Sequence, residues 1–125
     1  MNTRNEQPNR TREQRRPSKL TAARLDKLIE EATVDAYDAS EQLVGLYTLM
    51  EDSLALPFKT QVLGVDVSVE RIELTEADEI VAICTRSRMR QAIPILKLPL
   101  PTPPPQGAEW IEAYRRWARR TLERR

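Results

Sequence analysis

The stretch from Glu30 to Phe58, EEATVDAYDASEQLVGLYTLMEDSLALPF, decides how the rest of the chain is read. It holds seven of the nineteen acidic residues (Glu30, Glu31, Asp35, Asp38, Glu41, Glu51 and Asp52) and neither Lys nor Arg. Between the acids runs an apolar pattern with helical spacing. At about 100° per residue, Leu25, Leu28, Ile29, Ala32, Ala36, Leu43, Leu46, Tyr47, Met50 and Leu54 share one sector. Thr21 is a good N-cap for the start of this pattern. Asp38 can cap a second helix, with Glu41 three residues on at capping-box spacing. The expectation is two helices broken near Tyr37–Ser40, the second stopped by Leu56-Pro57. Gly45 inside it costs roughly 1 kcal/mol relative to Ala, which points to a close approach by another element.

Downstream the apolar period changes from helical to two. FKTQVLG, VDVSVERIEL, EIVAICTR and QAIPILKL (residues 58–64, 65–74, 79–86 and 91–98) alternate in part and are rich in β-branched residues. They are expected to form an antiparallel meander or partial barrel, with Pro94 placing its strand at an edge. Residues 99–107 are a proline-rich connector, expected to be extended. Residues 108–125, AEWIEAYRRWARRTLERR, form an amphipathic helix with Trp110, Tyr114 and Trp117 on one face and Arg115, Arg116 and Arg119 turned away. That face either docks on the chain's own body or meets a protein partner or a second copy in a homodimer. Upstream, residues 1–20 are polar and basic, which predicts a disordered arm. The resulting expectation is an α+β chain in four parts: arm 1–20, body 21–98, connector 99–107 and helix 108–125.

Charge is unevenly spread along the 125 residues. The net value of +1 divides into +4 over residues 1–20, −6 over 21–57, zero over 58–105 and +3 over 106–125. The central −6 argues against nucleic acid as the partner. With no His and a single cysteine, Cys84, zinc and copper lack a first shell, and Ser–His or Cys–His nucleophile pairs are excluded. The lone cysteine also excludes an internal disulfide and favours a reducing compartment. No apolar run reaches the ~20 residues of a membrane span, and the N-terminal residues lack the apolar core of a secretory signal. The expected setting is the cytoplasm.

A hard cation remains open, since carboxylate oxygens are its natural ligands, and the alternative is that the acids only solvate an exposed helix face. No EF-hand loop is present, because the alternating acids, central Gly and terminal Glu of that pattern are missing. The segment VDAYDASEQLVGLYTLMEDSLALPF (residues 34–58) nevertheless resembles the signature of the CcbP-type calcium-binding proteins, a bacterial family. The resemblance rests on Asp35, Ala36, Tyr37, Glu41, Gln42, Gly45, Tyr47, Glu51, Asp52, Leu54, Pro57 and Phe58. It implies a helical segment followed by a β-rich half, a bound Ca²⁺ and a non-enzymatic role. By position it nominates Asp35, Glu41, Glu51 and Asp52 as metal ligands, with Asp38 adding charge nearby. The connector and the WIEAYRRW helix stand outside it.

Overall fold

The computed structural model describes residues 20–122. The arm expected over residues 1–20 lies outside the described residues except for Leu20. Helix α1 spans Ala22–Ala32, and the Thr21 side chain accepts from the Arg24 N–H at its start. Helix α2 spans Ala39–Ser53 behind the Asp38 cap. The break between them therefore falls where the capping residues put it. Leu54 leaves the helical conformation three residues before Pro57, so α2 ends slightly earlier than the proline alone requires.

Four strands follow: β1 (Phe58–Val62), β2 (Val65–Leu74), β3 (Ile80–Arg86) and β4 (Met89–Pro94). They pair antiparallel in the order β1-β2-β3-β4, an open meander. Strand β4 begins two residues earlier than alternation predicts, because Ser87 and Arg88 alone close the β3–β4 hairpin. It also ends earlier, giving way to a 3₁₀ turn at Ile95–Lys97.

Strand β2 contains one extra residue. Val69 pairs with Cys84 and Arg71 with Ile83, leaving Glu70 as a bulge. Without it Val69 and Ile72, three positions apart, would face opposite sides of the sheet. With it both face inward and are buried, beside Ile80, Ala82 and Cys84.

Helix α3 (Glu109–Leu122) packs against α1 and α2, and its apolar face joins the same core. Trp110, Tyr114 and Trp117 are 6 %, 2 % and 5 % exposed. Those figures correct the proposal that this face meets a protein partner or second copy: it is already filled from within the chain. The Trp117 Nε1–H donates to Gln42 Oε1 on α2 at 2.8 Å, so the indole keeps a partner inside the core.

The arginines of α3 do not simply turn away. Arg116 Nε donates to Asp26 Oδ1 on α1 at 2.8 Å, and Arg120 Nη1 reaches the same oxygen at 3.2 Å. Arg115 donates to the carbonyls of Ile95 and Leu98 and to Glu112. The chain just before the connector is thereby held, and the connector itself is tied at both ends. The Thr60 hydroxyl donates to Pro99 O, the Ala55 N–H donates to Gln106 O, and Leu98 is buried.

Two glycines mark where backbones meet. A Cβ on Gly45 would lie 2.1 Å from Ala32 O, so α2 can sit against the end of α1 only without a side chain there. Gly107, at φ +89°, would bring a Cβ to 2.2 Å from Ser53 O at the end of α2. The middle of α2 is thus fixed against the end of α1, and its C-terminal end against Gly107, by backbone contact.

Candidate metal site

The five nominated acids lie along α2 and the turn before it, and all five are exposed. Asp38 is the N-cap, and one of its oxygens accepts the Glu41 N–H at 2.9 Å. Glu41 returns the interaction, accepting the Tyr37 N–H at 2.7 Å. This is a capping box displaced by one residue, since the glutamate reaches the residue before the cap. Each of these two carboxylates therefore commits one oxygen to ending the helix and keeps the other. Asp35 sits in the α1–α2 turn with no side-chain hydrogen bond or ion pair among the described residues.

At the other end of α2, Tyr47 Oη donates to Glu51 Oε2 at 3.1 Å and also lies 3.3 Å from the Ile72 carbonyl on β2. Burial, followed by the Glu51 hydrogen bond and the nearby charges of Glu51 and Glu73, raises the Tyr47 pKa. The phenol therefore stays a proton donor rather than an anionic ligand. Asp52, one residue on, points elsewhere around the helix, as a step of about 100° requires.

Ten residues separate Glu41 from Glu51, a rise of about 15 Å along the helix. All oxygens of one Ca²⁺ shell lie within about 2.6 Å of the ion. The acids therefore split into a group at the start of α2 (Asp35, Asp38, Glu41) and a pair at its end (Glu51, Asp52). They do not form one shell. Among the described residues no three carboxylate or cysteine side chains gather closely enough to form a metal cluster. Donor type fits a hard cation, while a preassembled cage is not built.

Sequence reasoning did not nominate the Ile72 carbonyl or Glu73, which β2 brings to the end of α2. Only the packing of helix on sheet shows them, because nothing in the spacing of residues 51 and 73 joins the two. Cys84 is buried at 3 %, and burial pushes its thiol pKa up, so it serves as a small apolar residue of the core.

A histidine-free α+β fold whose helix carries exposed carboxylates defines a protein suited to hard, oxygen-seeking cations and unsuited to zinc or copper. The CcbP family model, described as calcium binding, matches residues 26–118, and the chain belongs to that family. The match runs through the connector and most of α3, so these are part of the family's pattern and not additions to it. Calcium is the ion this membership implies. No curated protein and no solved structure matches the chain.

Proposed function

We propose that this protein is a cytoplasmic calcium buffer or sensor without a catalytic step. The observation that carries the reading is the family match, which runs from Asp26 within α1 through most of α3. The exposed acids of α2 support it. Asp35 at the start of α2 and Glu51 and Asp52 at its end are the residues assigned to calcium, in separate shells, because none of them caps a helix or pairs with a cation among the described residues. Asp38 and Glu41 contribute through their uncommitted oxygens. Water completes the shell, as the six to eight oxygens of Ca²⁺ require.

Few protein ligands per ion mean weak to moderate affinity. Thermal melting of chelator-stripped protein with and without Ca²⁺ tests the reading. Calcium at ~100 times Kd should add roughly 2.7 kcal/mol of stability. An unchanged melting temperature at millimolar Ca²⁺ would overturn it.

A further inference from the structure

Strand β4 is the last strand of the sheet, and among the described residues nothing pairs with its outer edge. The β3–β4 hairpin has a two-residue loop, so Arg86 and Met89 form its closing hydrogen-bonded pair. Counting on from there, Met89, Gln91 and Ile93 turn their peptide groups toward β3. Arg90 and Ala92 turn theirs outward. Pro94 is next in the outward set, where its missing N–H costs no ladder bond. The edge therefore presents a short run of unpaired backbone groups.

Beside this edge, on the inner face of the sheet beyond the helices, lies a cleft of about 410 Å³. Val62, Val65, Val67, Met89 and Ile93 line it. Met89 is 73 % exposed, and Leu63 at the β1–β2 tip is 98 % exposed. Leu63 also has φ +52°, in a two-residue turn with Gly64 at φ +78°. A left-handed Leu costs about 1–2 kcal/mol, and Asn or Gly is the usual occupant of such a site. The tip thus holds an apolar side chain in water against its backbone preference.

Arg86 and Arg90 line the cleft, and Arg88 sits in the hairpin loop between them. Arg86 donates to the Asp66 carbonyl, and none of the three has a carboxylate partner among the described residues. Charge alone would be an ordinary way of blunting an edge strand. Exposed Leu63 and Met89 beside it do the opposite, since they make the same corner sticky. Apolar floor, cationic rim and free backbone together describe a recognition site.

We propose that the β4 edge and its cleft dock an extended acidic segment of a partner protein, added as a fifth strand. Its side chains alternate. Those opposite Gln91 and Ile93 share the inner face and enter the cleft, and those opposite Arg90 share the outer face and carry the acid. Backbone bonds to Arg90 and Ala92 supply affinity, and the alternation supplies specificity. A second copy of β4 fits poorly, because antiparallel pairing gathers the arginines of both copies along one seam, and neither strand carries an acid to offset them. The chain's own residues 1–19 carry six basic and two acidic groups, the wrong sign for this rim.

The test uses the full chain and a short fluorescent peptide alternating Glu with Val, with a Lys-for-Glu peptide as control. The acidic peptide should bind, with amide shifts confined to residues 62–67 and 86–94, and the control should not. Arg90→Glu should weaken binding about tenfold or more, through loss and reversal of a rim charge. Leu63→Asn relieves the turn and keeps the fold, so weaker peptide binding by that variant reports the apolar contact alone. Equal binding of both peptides, shifts located elsewhere, or no binding by either overturns the proposal. So does dimerisation of the free chain through β4, or capture by phosphatidylserine vesicles that Leu63→Asn abolishes while the peptide fails to bind.

Discussion

Helices α2 and α3 both carry a charged flank over a shared core, yet they use the charge in opposite ways. On α3 three arginines, Arg115, Arg116 and Arg120, are committed. Arg116 and Arg120 clasp Asp26 across to α1, and Arg115 holds the carbonyls of Ile95 and Leu98 just before the connector. Of the acids on α2 and the turn before it, only the capping pair and Glu51 make side-chain hydrogen bonds, while Asp35 and Asp52 make none among the described residues. Charge that holds the fold together cannot also wait for a ligand. Charge left on the surface adds little to stability and is free to bind.

The sharpest way to break this contrast is to remove the committed helix. Truncation after Gln106 should abolish the cooperative unfolding transition, because α3 supplies six buried residues to the core. The milder change Trp117→Ala should cost about 3–5 kcal/mol, read from urea denaturation. Gly45→Ala comes next, at about 1–3 kcal/mol, since its methyl group would meet the Ala32 carbonyl and push α2 off α1. The gain in helix propensity, near 1 kcal/mol, is too small to rescue it.

Asp38→Ala should cost about 1 kcal/mol by removing the α2 cap. Smaller still is a pH effect at Asp26. The Arg116 hydrogen bond holds its carboxyl below the ordinary carboxylate range, only partly opposed by desolvation. The unfolded chain therefore takes up that proton at higher pH than the folded one. The contribution is complete above about pH 4 and is lost as pH falls through the lowered folded value. Asp26→Asn should give a shallower acid limb in a stability-against-pH curve, and an unchanged limb would show the clasp to be idle. Asp35→Asn and Asp52→Asn should fall within about 0.5 kcal/mol of the parent.

Much of the scaffold was legible because local chemistry and tertiary need agree there. Thr21 and Asp38 announce both helix starts, and Gly45 announces the α1 contact. The slip in alternation between Val69 and Ile72 encodes the β2 bulge, although alternation in part was all that could be read from it. The extent of β4 was harder to read, since Met89 and Arg90 carry no strand signal and pair only because Ser87 and Arg88 suffice as a loop. The direction of Arg115 and Arg116, though not of exposed Arg119, was misread for a similar reason. A guanidinium on a long stem can lie along the helix and reach Asp26 or the Leu98 carbonyl, which no helical wheel displays.

The candidate site was less legible than the fold. Helical phase places acids on faces, but it cannot say that Asp38 and Glu41 spend oxygens on a cap while Asp35 does not. It also cannot bring Ile72 and Glu73 to the end of α2, because that depends on how the sheet meets the helix.

The most direct test of the central claim is a Ca²⁺ titration of the full chain followed by amide NMR. Saturable shifts should appear at Asp35, Glu51 and Asp52, weaken in Asp35→Asn or Asp52→Asn, and leave α3 from Glu109 onward unmoved. The account is contradicted if no residue of the Asp35–Asp52 segment shifts up to millimolar Ca²⁺, or if the saturable shifts fall on α3 instead.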